Sequence, residues 1–144
     1  MSISVVGSVA YDDLETPAGK RNRVLGGAAT HFSASASFFV EGIHLVGVVG
    51  HDFTLNDLDF LKSRDVDLSG LEINASGKTF HWKGRYGSDL NDAQTLETQL
   101  NVFATFQPKL SHSFKKAPYL FLANIDPVLQ HQVLQQMEKP KWIA

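Results

Sequence analysis

The 144-residue chain is long enough for one domain with a hydrophobic core and too short for two full ones. Its 13 basic and 15 acidic side chains leave a net charge of −2, so no general attraction for nucleic-acid phosphates is expected. The absence of cysteine excludes disulfides, a cysteine-based zinc site and a thiol nucleophile. No apolar run reaches the roughly 18 residues of a membrane span, and Met1–Ser4 lacks the basic start of a signal peptide. A cytoplasmic chain without membrane or nucleic-acid partners is the expectation.

Ile3–Gly7 is a short β-branched run ended by glycine, and it predicts a buried first strand. From Tyr11 to Leu25 the chain turns polar, with Asp12-Asp13, Pro17 and Gly19 as turn signals, which predicts a loop and a solvent-facing hairpin. Gly26-Gly27 then opens a helix over Ala28–Val40, with Ala29, Phe32, Ala36 and Phe39 at helical spacing. His44–Gly50 predicts a second buried strand, and Thr54 caps a short helix ending near Ser63. Lys78–Tyr86 alternates, placing Phe80, Trp82 and Tyr86 on one face and His81, Lys83 and Arg85 on the other. Thr98–Phe106 and Tyr119–Ile125 read as strands, Pro127–Met137 as a helix, and Lys141–Ala144 as the start of a further strand. Strand, excursion, helix and strand in succession favour an α/β chain with a parallel sheet.

Three constellations could carry chemistry. Gly26-Gly27 before a helix lets backbone amides approach a ligand, although taken alone a glycine pair more often serves tight helix packing. Asp12 lies five residues beyond Gly7, at the strand edge where open α/β sheets bind ligands, and could accept hydrogen bonds from two hydroxyls of a polyol or simply form an Asx turn. The aromatic face Phe80, Trp82 and Tyr86 could stack on a sugar or base, or pack against another sheet or subunit. Neither a G-x-G-x-x-G fingerprint nor a P-loop is present, and the six histidines form no metal-ligand pair. His31 stands alone, one turn into the predicted helix.

Together these residues resemble the N-terminal half of the ribokinase-like carbohydrate kinases, the PfkB family. The family's opening Gly-Ser-x-x-x-Asp is matched by Gly7 to Asp12, and its double-glycine signature by Gly26-Gly27-Ala28-Ala29-Thr30-His31-Phe32-Ser33. Gly50-His51-Asp52 looks like its Gly-x-Asp, and Asp65–Leu71 is similar to its Gly-Val-Asp-Thr-Ser-Gly segment. The resemblance implies a parallel sheet flanked by helices with a small β lid, formed by segments near 13–25 and 78–106 and truncated before a C-terminal nucleotide-binding and catalytic half. It implies that Asp12, Gly26, Gly27 and His31 bind the hydroxyls of a sugar or nucleoside, with Asn124 as a further contact and Asp126 as second choice. His31 departs from the family's usual asparagine. ATP and Mg²⁺ are the implied cofactors of the intact enzyme, yet the chain contains neither the catalytic Gly-Ala-Gly-Asp motif nor the metal-binding Asn-x-x-Glu motif. No catalytic or metal residue is therefore assigned in residues 1–144, and the expectation is a substrate-binding portion without activity of its own. A non-catalytic sugar-binding or interaction module is the alternative. If the sheet is cut off after Ala144, a homodimer through lid strands or the exposed sheet edge, or poor solubility, is expected.

Overall fold

Nine strands and four helices make up the computed structural model, which describes residues 1–144. The strands are β1 (Ile3–Val6), β2 (Ala10–Thr16), β3 (Gly19–Gly26), β4 (Ile43–Gly50), β5 (Asp67–Asn74), β6 (Phe80–Tyr86), β7 (Ala93–Gln99), β8 (Tyr119–Leu122) and β9 (Trp142–Ile143). The helices are α1 (Ala28–Ala36), α2 (Asp59–Ser63), α3 (His112–Lys115) and α4 (Pro127–Gln136), with 3₁₀ turns at Leu55–Leu58 and Asn101–Thr105.

The apolar runs pair in parallel to form a five-stranded sheet in the order β5-β4-β1-β8-β9. Alternation along these strands sends successive side chains to opposite faces, and both faces are covered. Val5, Leu45 and Val49 join Ala29, Leu58 and Leu61 in a core under α1 and α2. Val6, Val46 and Val48 join Phe106, Phe114 and Val133 in a second core under α3 and α4. This is why the strands read as continuous hydrophobic runs rather than alternating ones. The chain leaves β1 toward β4 on one side and later returns to β8 on the other. The order of the strands therefore reverses beside β1, and such a switch point, here at the carboxyl ends of β1 and β8, is where open α/β sheets form their ligand crevice.

The polar segments form a separate four-stranded sheet, β3-β2-β6-β7. Here the structure differs from the sequence reading. Tyr11 begins no loop: the chain is already strand at Ala10, because β2 pairs with β3 on one edge and with β6 on the other. Thr98–Phe106 is not one strand. β7 ends at Gln99, and Asn101 takes a positive φ of 50° while its amide donates to the Thr79 carbonyl at 2.9 Å. The turn that follows buries Val102 and Phe106, four residues apart, against the second core. Helix α1 stops at Ala36 rather than Val40, and the Ser37 hydroxyl binds the Ala34 carbonyl at 2.7 Å. Thr54 makes no side-chain cap, and its N–H instead donates to the Tyr11 hydroxyl at 3.0 Å.

Candidate functional site

The crevice at the carboxyl ends of β1 and β8 is organised by Ser8. Its hydroxyl accepts from the Ala28 N–H at 2.9 Å and its carbonyl from the Ala29 N–H at 3.1 Å, which pins the N-terminus of α1 to the end of β1. Gly27 sits at the junction with φ 98°, and a side chain there would collide with the Ser8 carbonyl. Two of the helix's orphan donors are consumed in this way. The Gly27 N–H has no backbone partner.

Asp12 lies on β2, two positions beyond the Ala10–Gly26 pair, and its carboxylate rests directly over Gly26, where any Cβ would clash with it. Burial pushes the Asp12 carboxyl above the ordinary aspartate range, opposed by the nearby His31 and His81, and no hydrogen bond contributes. A half-buried carboxylate without a donor is an open acceptor. His31 stands exposed on the first turn of α1, so the structure brings Asp12, Gly26, Gly27 and His31 together.

Asn124 follows β8 across the crevice. It lines a cleft of about 570 Å³ between the two sheets, together with Phe80, Trp82, Phe103, Ile125 and Leu129. Asp126 reaches the same cleft, but one oxygen is committed to capping α4, accepting from the Val128 N–H at 2.7 Å. Two residues of the aromatic face of β6 line this cleft: Phe80, stacked on Phe103 at 5.2 Å between ring centroids, and Trp82, which Tyr86 meets edge-on at 6.5 Å. The opposite, basic face is neutralised by its neighbours on β2. Glu15 binds Arg85 at 2.9 Å and Lys20 at 3.0 Å, and Asp13 lies 3.2 Å from His81.

On that opposite face a polar pocket of about 250 Å³ lies at the root of the second sheet. Asp52 accepts from both the N–H and the hydroxyl of the buried Thr79, each at 2.8 Å. Arg23 binds Asp52 and lies over the Tyr11 ring, 3.9 Å from its centroid. In the sequence, Ser8 and Asp52 stand out only as members of motifs, without a role of their own. Their hydrogen-bonding signal lay in partners 20 and 27 residues away, which no local pattern reveals. No three His, Asp or Glu side chains are grouped to hold a metal ion. With no phosphoryl-binding motif in the chain, these residues do not fit an Mg-nucleotide centre, and no transfer step is derived from them.

No protein-family model matches the chain. A cytidine kinase of Thermococcus kodakarensis is 36% identical over 89 residues, covering 62% of this chain and 31% of that protein. Among solved structures, the Methanocaldococcus jannaschii nucleoside kinase, described as an archaeal member of the ribokinase family, superimposes with a TM-score of 0.71 at 17% identity, over 99% of this chain and 51% of its own. The Burkholderia thailandensis nucleoside kinase in complex with inosine gives 0.68 at 16% identity, over 94% and 49%. The Cryptococcus neoformans ribokinase in complex with ADP gives 0.68 at 18% identity, over 84% and 41%. The chain spans about half the length of these solved proteins and about a third of the curated relative. Its parallel sheet, flanking helices and second β-sheet are those of the ribokinase-like fold, the fold of this group of carbohydrate and nucleoside kinases.

Proposed function

We propose that residues 1–144 form the substrate-binding portion of an ATP-dependent kinase that phosphorylates a hydroxyl group of a sugar or nucleoside. The observation that carries this reading is the Asp12 carboxylate, set over Gly26 beside the carboxyl end of β1 and met by no donor of the chain. An ionised carboxylate accepts hydrogen bonds from two neighbouring hydroxyls, and such charge-assisted bonds are stronger than neutral ones. The Gly27 N–H can donate to a hydroxyl oxygen, and the His31 imidazole can donate or accept once. Asn124 offers a further amide across the crevice. The second sheet, standing over this crevice, serves as the lid. The cytidine kinase among the relatives, and the structural neighbours in complex with inosine or ADP, support the same reading.

In such an enzyme ATP supplies the phosphoryl group and Mg²⁺ neutralises its developing charge. Residues 1–144 have the narrower task of binding and orienting the acceptor hydroxyl and shielding it from water. Calorimetry tests this division. Ribose or a nucleoside binds the chain, and Asp12→Ala weakens the affinity at least tenfold. Unchanged affinity in that variant makes Asp12 only a structural residue of β2 and overturns the assignment. Tight binding of Mg-ATP by the chain overturns the division of labour.

A further inference from the structure

The polar pocket at the root of the second sheet draws its lining from parts of the chain far apart in sequence, and the acceptor site uses none of them. Asp52 comes from the turn after β4, Arg23 from β3, Lys78 from the segment before β6, Gln99 from the end of β7 and Asn101 from the turn that follows. The backbone around Lys78 is held from two sides. The Gly77 carbonyl accepts from the His51 N–H at 3.0 Å, and the Lys78 carbonyl from the Val102 N–H at 3.1 Å. The hollow of about 250 Å³ therefore straddles the junction between the two sheets on an anchored backbone.

The groups this lining leaves free are mostly donors, and their charge is positive. Its acceptors are already engaged within the chain. Asp52 Oδ1 takes the N–H and hydroxyl of Thr79, the Thr79 hydroxyl oxygen takes the Gly50 N–H at 3.0 Å, and the Tyr11 hydroxyl oxygen takes the Thr54 N–H. Asp52 Oδ2 faces Arg23 at 3.6 Å, so the one carboxylate of the lining is matched by one cation. The second cation is Lys78, whose ammonium enters no ion pair. Arg23 donates to the Asp52 carbonyl and has further N–H groups to offer, and the Asn101 amide donates to the Thr79 carbonyl and keeps a second N–H.

A concave site lined by one sign of charge concentrates ions of the other. A planar guanidinium beside an ammonium matches the several oxygens of a phosphate group, whereas a neutral polyol would bring Lys78 no counter-charge. We propose that this pocket binds a small phosphate-bearing anion, held by Arg23, Lys78 and the Asn101 amide, and that the bound anion clamps the second sheet to the first. Its oxygens bridge β3, the segment before β6 and the turn after β7 where all three meet the turn after β4. A ligand that binds only the assembled pocket stabilises that assembly as its concentration rises above the dissociation constant. The inference is independent of Asp12, because Tyr11 and His81 of this lining alternate along β2 and β6 with Asp12 and Trp82 and so face the other side of the sheet.

Proton–nitrogen correlation spectra test this by titration with inorganic phosphate at neutral pH, with potassium chloride holding the ionic strength constant. Saturable shifts are expected at the amides of Lys78, Thr79, Gln99 and Asn101, with slower amide exchange in β2, β3 and β6. Lys78→Gln weakens the binding about tenfold, as loss of one charge-assisted contact should. Lys109→Gln, at an exposed lysine outside the pocket, leaves it unchanged. Gln99→Glu adds a second carboxylate to the lining and abolishes the saturable shifts, and the same spectra show that each variant is folded. Glycerol 3-phosphate separates the two sources of such an anion: equal or tighter binding supports a phosphomonoester as the ligand, and its exclusion supports the free phosphate ion. Shifts spread over the surface lysines, or unchanged in both pocket variants, overturn the proposal as charge screening only. Absence of saturable shifts with either phosphate overturns it as well.

Discussion

Burying the Asp12 carboxylate beside Gly26 with no hydrogen-bond donor costs the folded chain stability at neutral pH, because desolvation disfavours its charged form. The folded value is raised above the unfolded one of about 3.9. Between the two the folded state holds more protons, so this group's contribution to stability falls as pH rises through that window. Asp12→Asn is therefore expected to raise the melting temperature at pH 7, with a smaller gain below the ordinary aspartate range, and to weaken ligand binding at the same time. Thermal melts at pH 7 and pH 3, paired with calorimetry, check both halves. A lower melting temperature at pH 7 would show that the carboxylate is satisfied in the native state. Its place just beyond the first strand was legible in the spacing from Gly7, although it stands inside β2 rather than in a loop. Its lack of a partner was not, since that depends on what β3 and α1 bring around it.

At the scale of elements, the second sheet contributes few residues to either hydrophobic core and is tied at its root by polar contacts. Tyr11 donates to Asp57 at 2.5 Å, Arg23 bridges to Asp52, and Asp52 holds the N–H and hydroxyl of Thr79. Burial pushes the Asp52 carboxyl up, but the Thr79 bonds and the Arg23 charge outweigh it and hold the group below its usual range. A depressed carboxylate contributes stability above its unfolded value and loses it as pH falls through the folded one. Asp52→Ala leaves Thr79 with buried unpaired groups, at about 1–3 kcal/mol each. Urea unfolding at pH 7 should show a loss of about 2 kcal/mol or more, shrinking toward pH 3. Amide exchange should localise the added opening to β2, β3 and β6. A uniform change across both sheets would place Asp52 outside the root of the second sheet. The β6 strand could be read from its alternation, whereas the turn at Asn101 could not. Val102 and Phe106 look strand-compatible until the second core claims both.

Across the whole molecule, the outer edges of β9 and β7 carry no partner strand, and large apolar side chains stand in solvent. Phe39 is 84% exposed, Phe38 63% and Trp142 72%. Unpaired edges and apolar surface of this kind drive association. Sedimentation velocity is expected to show concentration-dependent self-association, reduced by the combination Phe39→Asp and Trp142→Arg. A monomer across the accessible concentration range would show that these groups have no partner in a second copy.

The amino-acid pattern by itself determined the parallel sheet and the helix after Gly26-Gly27, because continuous apolar runs and glycine pairs are local signals of burial and turn geometry. It also carried the resemblance to the ribokinase-like kinases through four short motifs in order. Only the tertiary structure decided that Ser8 spends two amides of α1 on anchoring the helix, that Asp126 caps α4, and that Phe80 and Trp82 both line the cleft between the sheets, with Phe80 stacked on Phe103. Those outcomes depend on registers between strands distant in sequence, where one residue's shift exchanges the two faces of a sheet.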